Sequence, residues 1–211
     1  MQSECTRPTL FASSAFAFGL LLTCAASAAA SPIAIAGVTT NLGNGFSTNI
    51  THVIDGSGLS SYAPDATHAI AQANNSWVSA NGTAGQITFD LGSVFAIDGM
   101  AVWNFNNVGT FGVNRVNVLS SLDGVTYSPI AVAPDNFGIG ASSAPELAQL
   151  FSLTTTAEFI RFNILSSYGG LNVALSEVMF TGTATVPEPA TFGLVGIGLA
   201  TAAFLKDRIL L

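Results

Sequence analysis

Charge is what this 211-residue chain most lacks: only 8% of its residues are Asp, Glu, Lys or Arg, against about 25% in an ordinary soluble protein. Gly, Ala, Ser, Thr and Asn fill the gap. Basic residues are scarcest, five in all: Arg7, Arg115, Arg161, Lys206 and Arg208. So few cations exclude nucleic-acid binding, which needs a basic face against the phosphates. A charged coiled coil and a charge-swollen disordered chain are excluded on the same ground. The two cysteines, Cys5 and Cys24, both lie near the N-terminus. The rest of the chain has no disulfide, thiolate metal site or cysteine nucleophile to offer. Histidines number two, His52 and His68, and no G-x-S-x-G turn is present, so Ser-His-Asp chemistry lacks a recognisable setting. His68 reads more simply as a loop histidine bonded to its neighbours than as a base. Nine carboxylates fall between residues 31 and 186, yet nothing in their spacing selects a glycosidase pair. The expectation is a protein that binds rather than catalyses.

Long hydrophobic runs are confined to the two ends. Leu10 to Cys24 is a run of 15 largely apolar residues after a short segment holding Arg7. It is short for a spanning helix, which needs about 20. Ala26-Ser27-Ala28 and Ala28-Ala29-Ala30 both fit a small-residue cleavage site, so residues 1–30 read as a secretory signal peptide. An uncleaved anchor and acylation at Cys24 are the alternatives, and Leu22-Thr23 before Cys24 suits the second poorly. At the other end, Pro187-Glu188-Pro189 breaks regular structure. Ala190 to Leu205 is then a 16-residue uncharged run, followed by Lys206-Asp207-Arg208. A span with its positive end inside fits this order. Val186-Pro187-Glu188-Pro189 with its tail resembles the PEP-CTERM sorting signal of Gram-negative bacteria. The resemblance implies recognition of the motif and removal of the tail by exosortase, a membrane protease-transpeptidase. Asp207 and the three closing apolar residues depart from that family's arginine-rich end.

Residues 31–182 are expected to form one domain, with residues 183–189 a linker and 190–211 the sorting or transmembrane tail. Gln86 to Leu91 alternates, with Ile87, Phe89 and Leu91 on one face. Val94 to Phe105, Val113 to Leu119, Val125 to Val132, Leu150 to Leu153, Glu158 to Leu165 and Val173 to Thr181 also read as extended. Ser121-Leu122-Asp123-Gly124 supplies a turn, and Pro134 to Pro145 reads as a loop. Period-two alternation, β-branched and aromatic residues and closely spaced turn signals predict an all-β sandwich.

The same segments carry a second resemblance. Phe89-Asp90-Leu91-Gly92, Ser121-Leu122-Asp123-Gly124-Val125-Thr126-Tyr127, Phe159-Ile160-Arg161-Phe162 and Leu175-Ser176-Glu177-Val178 resemble, in order, four strands and turns of discoidin, or coagulation-factor type C, domains. Val53-Ile54-Asp55-Gly56 and Trp77 are similar to that family's Asp-Gly loop and the tryptophan after it. The resemblance implies a galactose-binding-like jelly roll.

Two kinds of site are expected on such a scaffold. Asp55 sits in a glycine-rich loop with carbonyls to spare, and the resemblance implies that this loop and Glu177 can meet around a structural Ca2+, which takes six to eight oxygens. The plainer reading is that Asp55 caps a turn and Glu177 pairs with Arg161 or a backbone amide. A carbohydrate site needs an aromatic face beside amides. Trp77, Asn104 and Tyr168 are the candidates, with Tyr62, Trp103, Asn106 and Asn107 also available. The expected role is an exported, non-catalytic envelope or matrix protein that binds exopolysaccharide or another glycan. A purely structural surface protein and, more remotely, a secreted hydrolase are the alternatives.

Overall fold

A computed structural model describes residues 31–185; the signal segment and the Pro187-Glu188-Pro189 tail lie outside the described residues. Ten strands are present among the described residues: β1 (Ser31–Pro32), β2 (Gly37–Thr40), β3 (Thr67–His68), β4 (Trp77–Val78), β5 (Gly85–Asn104), β6 (Val116–Ser121), β7 (Ser128–Pro129), β8 (Glu146–Leu147), β9 (Gln149–Ile164) and β10 (Ala174–Ala184). The only helical pieces among them are two 3-10 turns, Ile50–Val53 and Gly109–Phe111. The architecture is the expected discoidin-like β-sandwich.

Two segments that read as strand pairs are single long strands. β5 runs through 86–91 and on from 94 to Asn104, and β9 through 150–153 and on from 158 to Ile164. They pair with each other along most of their length, with register shifts between Asp90 and Phe95 and between Ile97 and Gly99. At the first shift Gly92 adopts φ +76°, a left-handed conformation that costs glycine little. The Asp90 carboxylate accepts the Gly92 N–H at 2.8 Å. The chain therefore bends without losing the ladder, and each long strand serves both layers. The first half of β5 pairs with β2 and its second half with β10, while the end of β9 pairs with β6.

The core lies between these halves. Ile87, Phe89, Ile160 and Phe162 from one layer and Val102, Val178 and Phe180 from the other are wholly or almost wholly buried. Phe89 links the layers, edge-on to Phe162 at 4.9 Å and to Phe180 at 5.4 Å, a geometry that aromatic pairs prefer. Val125 to Val132 differs from its expectation: only Ser128–Pro129 pairs, and Val125 is exposed. The reason is local. The Asp123 carboxylate accepts the N–H groups of Val125 and Thr126 at 2.9 and 2.8 Å, which winds this segment into a turn. Between Pro134 and Pro145 the chain is a loop, pinned by the fully buried Phe137. At the C-terminal end β10 reaches Ala184, and Thr185 N–H still donates to Val94 O at 3.0 Å. Order thus continues into the first residues read as linker.

Candidate functional site

The residues whose chemistry suggested sugar contact are mostly structural. Trp77 is fully buried opposite Leu175 of β10, and its indole N–H donates to Gly43 O at 2.9 Å. Asn104 is fully buried too. Its Nδ2 donates to Val113 O and Gly138 O at 2.8 and 2.7 Å, and its Oδ1 accepts from Phe105 N–H and Val113 N–H at 3.0 and 2.9 Å. A carboxamide making four such bonds has no capacity left for a ligand. Tyr168 is half-buried and its hydroxyl donates to Phe137 O. Trp103 is buried with its N–H on Ala66 O. The corrected positions of Trp77 and Asn104 have one cause. Loops at this end of the sandwich leave backbone carbonyls without strand partners, and buried carbonyls must be satisfied. The indoles and amides do that work.

The same loops build a groove that the sequence did not flag. Its walls come from the loop after β2, the segment before β4 and the stretch from Phe105 to Phe111. It has a volume of about 350 Å³, within the range of small-ligand sites. Phe46 is 67% exposed at its mouth. The Phe46 and Phe111 rings lie 6.4 Å apart, and Phe105 stacks on Phe111 at 6.3 Å with 18° between planes. Phe46 and Ser47 both have positive φ, 53° and 59°. That is a strained conformation for a bulky residue, and such strain concentrates at ligand-holding sites. The walls are held from within. Thr48 Oγ1 donates to Gly45 O at 2.6 Å and accepts Val78 N–H at 2.9 Å. Ser76 Oγ donates to Gln72 O at 2.6 Å, and Asn107 Nδ2 donates to Ala71 O at 2.9 Å. The available signal was an isolated phenylalanine in Gly43-Asn44-Gly45-Phe46-Ser47, where nothing local can bury it.

On the outer face of β10 lies a second polar assembly. Glu177 is fully buried, and both carboxylate oxygens lack a hydrogen-bond partner among the described residues. Burial pushes its pKa up to about 9; the Gly56 N–H opposes this without reaching hydrogen-bond geometry, and the nearby Asp55 charge adds to the rise. The fold thus brings the Asp55 loop to the final strand. Asp55 also caps its own turn. Its Oδ1 accepts Ser57 N–H at 2.8 Å and its Oδ2 lies 2.9 Å from His52 Nδ1. Burial alone would raise the Asp55 pKa, but hydrogen bonds from Ser57 and His52 outweigh it and hold the carboxyl below its ordinary value. Arg161 is not the partner of Glu177. It stacks over the Tyr127 ring at 3.6 Å and donates from Nε to Thr88 Oγ1 at 3.0 Å. Ser57 Oγ and His68 Nε2, in the same loop region, are buried without hydrogen-bond partners among the described residues. Gly58 (φ +91°) packs so closely that a Cβ there would sit 2.6 Å from His68 Nε2. Among the described residues no group of three or more His, Cys, Asp or Glu side chains is placed to hold a metal ion. A cation here would depend on Glu177, Asp55 and main-chain or hydroxyl oxygens.

With this geometry in hand, comparison with known proteins is informative about fold and family. Among solved structures, a carbohydrate-binding module of a Clostridium perfringens family 89 protein, in complex with GalNAc-β-1,3-galactose, superimposes with a TM-score of 0.54 at 15% identity, over 71% of this chain and 99% of that one. The family 32 module of NanJ from C. perfringens, in complex with galactose, gives 0.52 at 10%, over 72% and 98%. The C-terminal domain of a chitobiase from Bacteroides fragilis gives 0.52 at 19%, over 74% and 100%. At these identities the likeness is one of fold. No curated protein matches the chain. Residues 185–208 match the PEP-CTERM protein-sorting motif, beginning at the residue where the last strand's hydrogen bonds end. Residues 47–178 match the F5/8 type C domain, nearly the whole of the sandwich, and the chain belongs to that family.

Proposed function

We propose that this is an exported, non-catalytic glycan-binding protein, delivered to the cell surface through its PEP-CTERM motif and taking its ligand in the Phe46–Phe111 groove. The observation that carries the reading is the groove itself: an exposed, strained phenylalanine packed on a second ring beside an apolar cleft, with two amides, Gln72 and Asn107, in its lining. Sugar rings stack their C–H faces on such surfaces, and a preformed concave site limits the ordering cost of binding. Two structural neighbours whose sandwiches superimpose on this one hold galactose and GalNAc-β-1,3-galactose, which supports a saccharide over another small molecule. Exopolysaccharide or biofilm matrix is the source expected for an envelope protein. Exosortase is the processing partner that the motif implies, acting at Pro187, Glu188 and Pro189, with the tail holding the chain at the membrane beforehand. A glycan array probed with the full-length chain in detergent tests the ligand class. Capture of a saccharide class by the parent chain and its loss in Phe46→Ala supports the reading; capture unaffected by that change refutes the assignment of the groove.

We also propose that Glu177 and Asp55 hold a structural Ca2+. The unpartnered, buried Glu177 oxygens fit a hard, oxygen-seeking cation, because the ionised carboxylate has no hydrogen-bond partner among the described residues and is otherwise neutralised only by a proton. The ion would join the Asp55 loop to the final strand and so brace one flank of the sandwich.

A further inference from the structure

We propose that the Phe46–Phe111 groove selects acetyl-bearing, uncharged saccharides, as acetate ester or acetamide, over their deacetylated and anionic counterparts. This rests on the reading of the groove as the glycan site and adds the ligand's chemistry to it.

Spare hydrogen-bonding groups are few in the groove. A sugar that shows only hydroxyls must recover, in its site, the hydrogen bonds it gave up in water. Here the hydroxyl hydrogens of Thr48 and Ser76 are committed to backbone carbonyls, and one Nδ2 hydrogen of Asn107 is committed to Ala71 O. What remains among the lining side chains is the Gln72 carboxamide, Oδ1 and the second Nδ2 hydrogen of Asn107, and the acceptor side of the Ser76 hydroxyl. These few groups stand beside an apolar surface of Phe105 and Phe111, with Phe46 and Val108 exposed at its edge. The rings are phenylalanines, with no hydroxyl or indole N–H to offer. A polyhydroxylated face would lose more hydrogen bonds to water over this apolar surface than these few groups return. An acetyl group matches it: the methyl covers apolar surface, and the carbonyl takes one N–H from Gln72. For an acetamide, the N–H also has Oδ1 of Asn107 as acceptor.

Charge selects in the same direction. No ionisable side chain lines the groove. The two arginines among the described residues are engaged elsewhere, Arg115 with Asp135 at 3.2 Å and Arg161 over Tyr127. The chain carries a net charge of −7. Among the described residues no free cation is available to neutralise a uronate, sulfate or pyruvyl group, and the net negative charge repels one.

The test uses matched pairs that differ in acetylation alone. The full-length chain in detergent is titrated with acetylated konjac glucomannan and its alkali-deacetylated form, with the N-acetylglucosamine tetramer and the glucosamine tetramer, and with alginate. The ester and amide pairs separate the two sources of the acetyl group. About 10-fold tighter binding of the acetylated member of at least one pair is expected, the scale of one methyl-sized contact in an apolar pocket. Alginate is expected not to bind. The glucosamine tetramer is a stringent control, because its positive charge favours it on this acidic protein. Phe46→Ala should erase the preference; Phe46 is 67% exposed, so that variant is expected to keep the parent melting temperature. Equal binding of both members of each pair, abolished by Phe46→Ala, overturns acetyl selection and keeps the glycan groove. A preference that survives Phe46→Ala also overturns it, since the acetyl group is then read elsewhere. Failure to capture any glycan, on these probes and on a general array, removes the underlying reading as well.

Discussion

Glu177 sets up a pH dependence opposite to that of most carboxylates. Its pKa is pushed up to about 9 by burial, from an ordinary value of 4.5. The folded state therefore binds a proton that the unfolded state has released throughout that window. Stability falls as pH rises wherever the folded state holds more protons. In EDTA the loss should begin near pH 4.5 and continue until about pH 9. At 1.36 kcal/mol per pH unit, the span from 4.5 to 7 amounts to about 3 kcal/mol. For a domain of this size each kcal/mol moves Tm by about 2–4 °C, so melting should drop by roughly 6–12 °C between pH 4.5 and 7. A cation bound to the ionised carboxylate reverses the sign. It binds only the folded state, displaces the proton, and stabilises by about 2.7 kcal/mol at a hundred times Kd. The assay is a set of thermal melts from pH 4.5 to 8.5, in EDTA and in millimolar calcium, on the parent and on Glu177→Gln. The parent should lose stability with pH in EDTA and recover it in calcium. Glu177→Gln keeps the size of the side chain but cannot ionise, so both responses should vanish. Parent curves that superimpose with and without calcium remove the calcium assignment. A parent whose stability in EDTA is flat or rising from pH 4.5 to 7 refutes the buried, uncompensated carboxyl itself.

Other consequences concern the loops and the sorting segment. Phe46→Gly should raise stability by roughly 1 kcal/mol, because glycine accepts φ +53° without strain, while glycan capture is lost; urea melts and the array read the two effects, and a destabilised variant contradicts the strain argument. Asn104→Leu should cost at least about 3 kcal/mol by orphaning two backbone carbonyls and two N–H groups; a change below 1 kcal/mol in chemical denaturation would show that the loops do not depend on it. Trp77→Phe should lower stability by about 1–3 kcal/mol through the stranded Gly43 carbonyl and leave glycan affinity unchanged once the protein is folded, a separation that rules out ligand stacking at this position. Intact-mass measurement on protein from an exosortase-bearing host should show loss of the N-terminal segment and of the chain beyond Pro189; retention of Met1 and Leu211 contradicts the processing scheme.

The all-β class, the order of the long strands and the family were legible in the sequence, because they rest on local pattern. Alternation at Ile87, Phe89 and Leu91 assigns those residues to a core face whatever lies opposite them. Asp123-Gly124 announces its turn through hydrogen bonds to its own near neighbours. The joining of 86–91 to 94–105 was not legible, since Leu91-Gly92-Ser93 reads as a break and becomes a bend only because β9 pairs on both sides of it. The site residues divided along the same line. Residue type marked Trp77, Asn104 and Tyr168 as able to bind a sugar, but type cannot say which carbonyls a fold will leave unsatisfied. Here it left Gly43, Val113, Gly138 and Phe137, and those side chains were drawn inward to serve them. Phe46 went the other way, outward, because its loop has no core to enter. The family resemblance in the sequence also set Asp55 and Glu177 apart as cation candidates, 122 positions from each other. Only the closing of β10 against β5 beneath the Asp55 loop made them neighbours and denied Glu177 its water. Local chemistry is written in the chain; which groups share a dry space is decided by contacts between residues far apart in it.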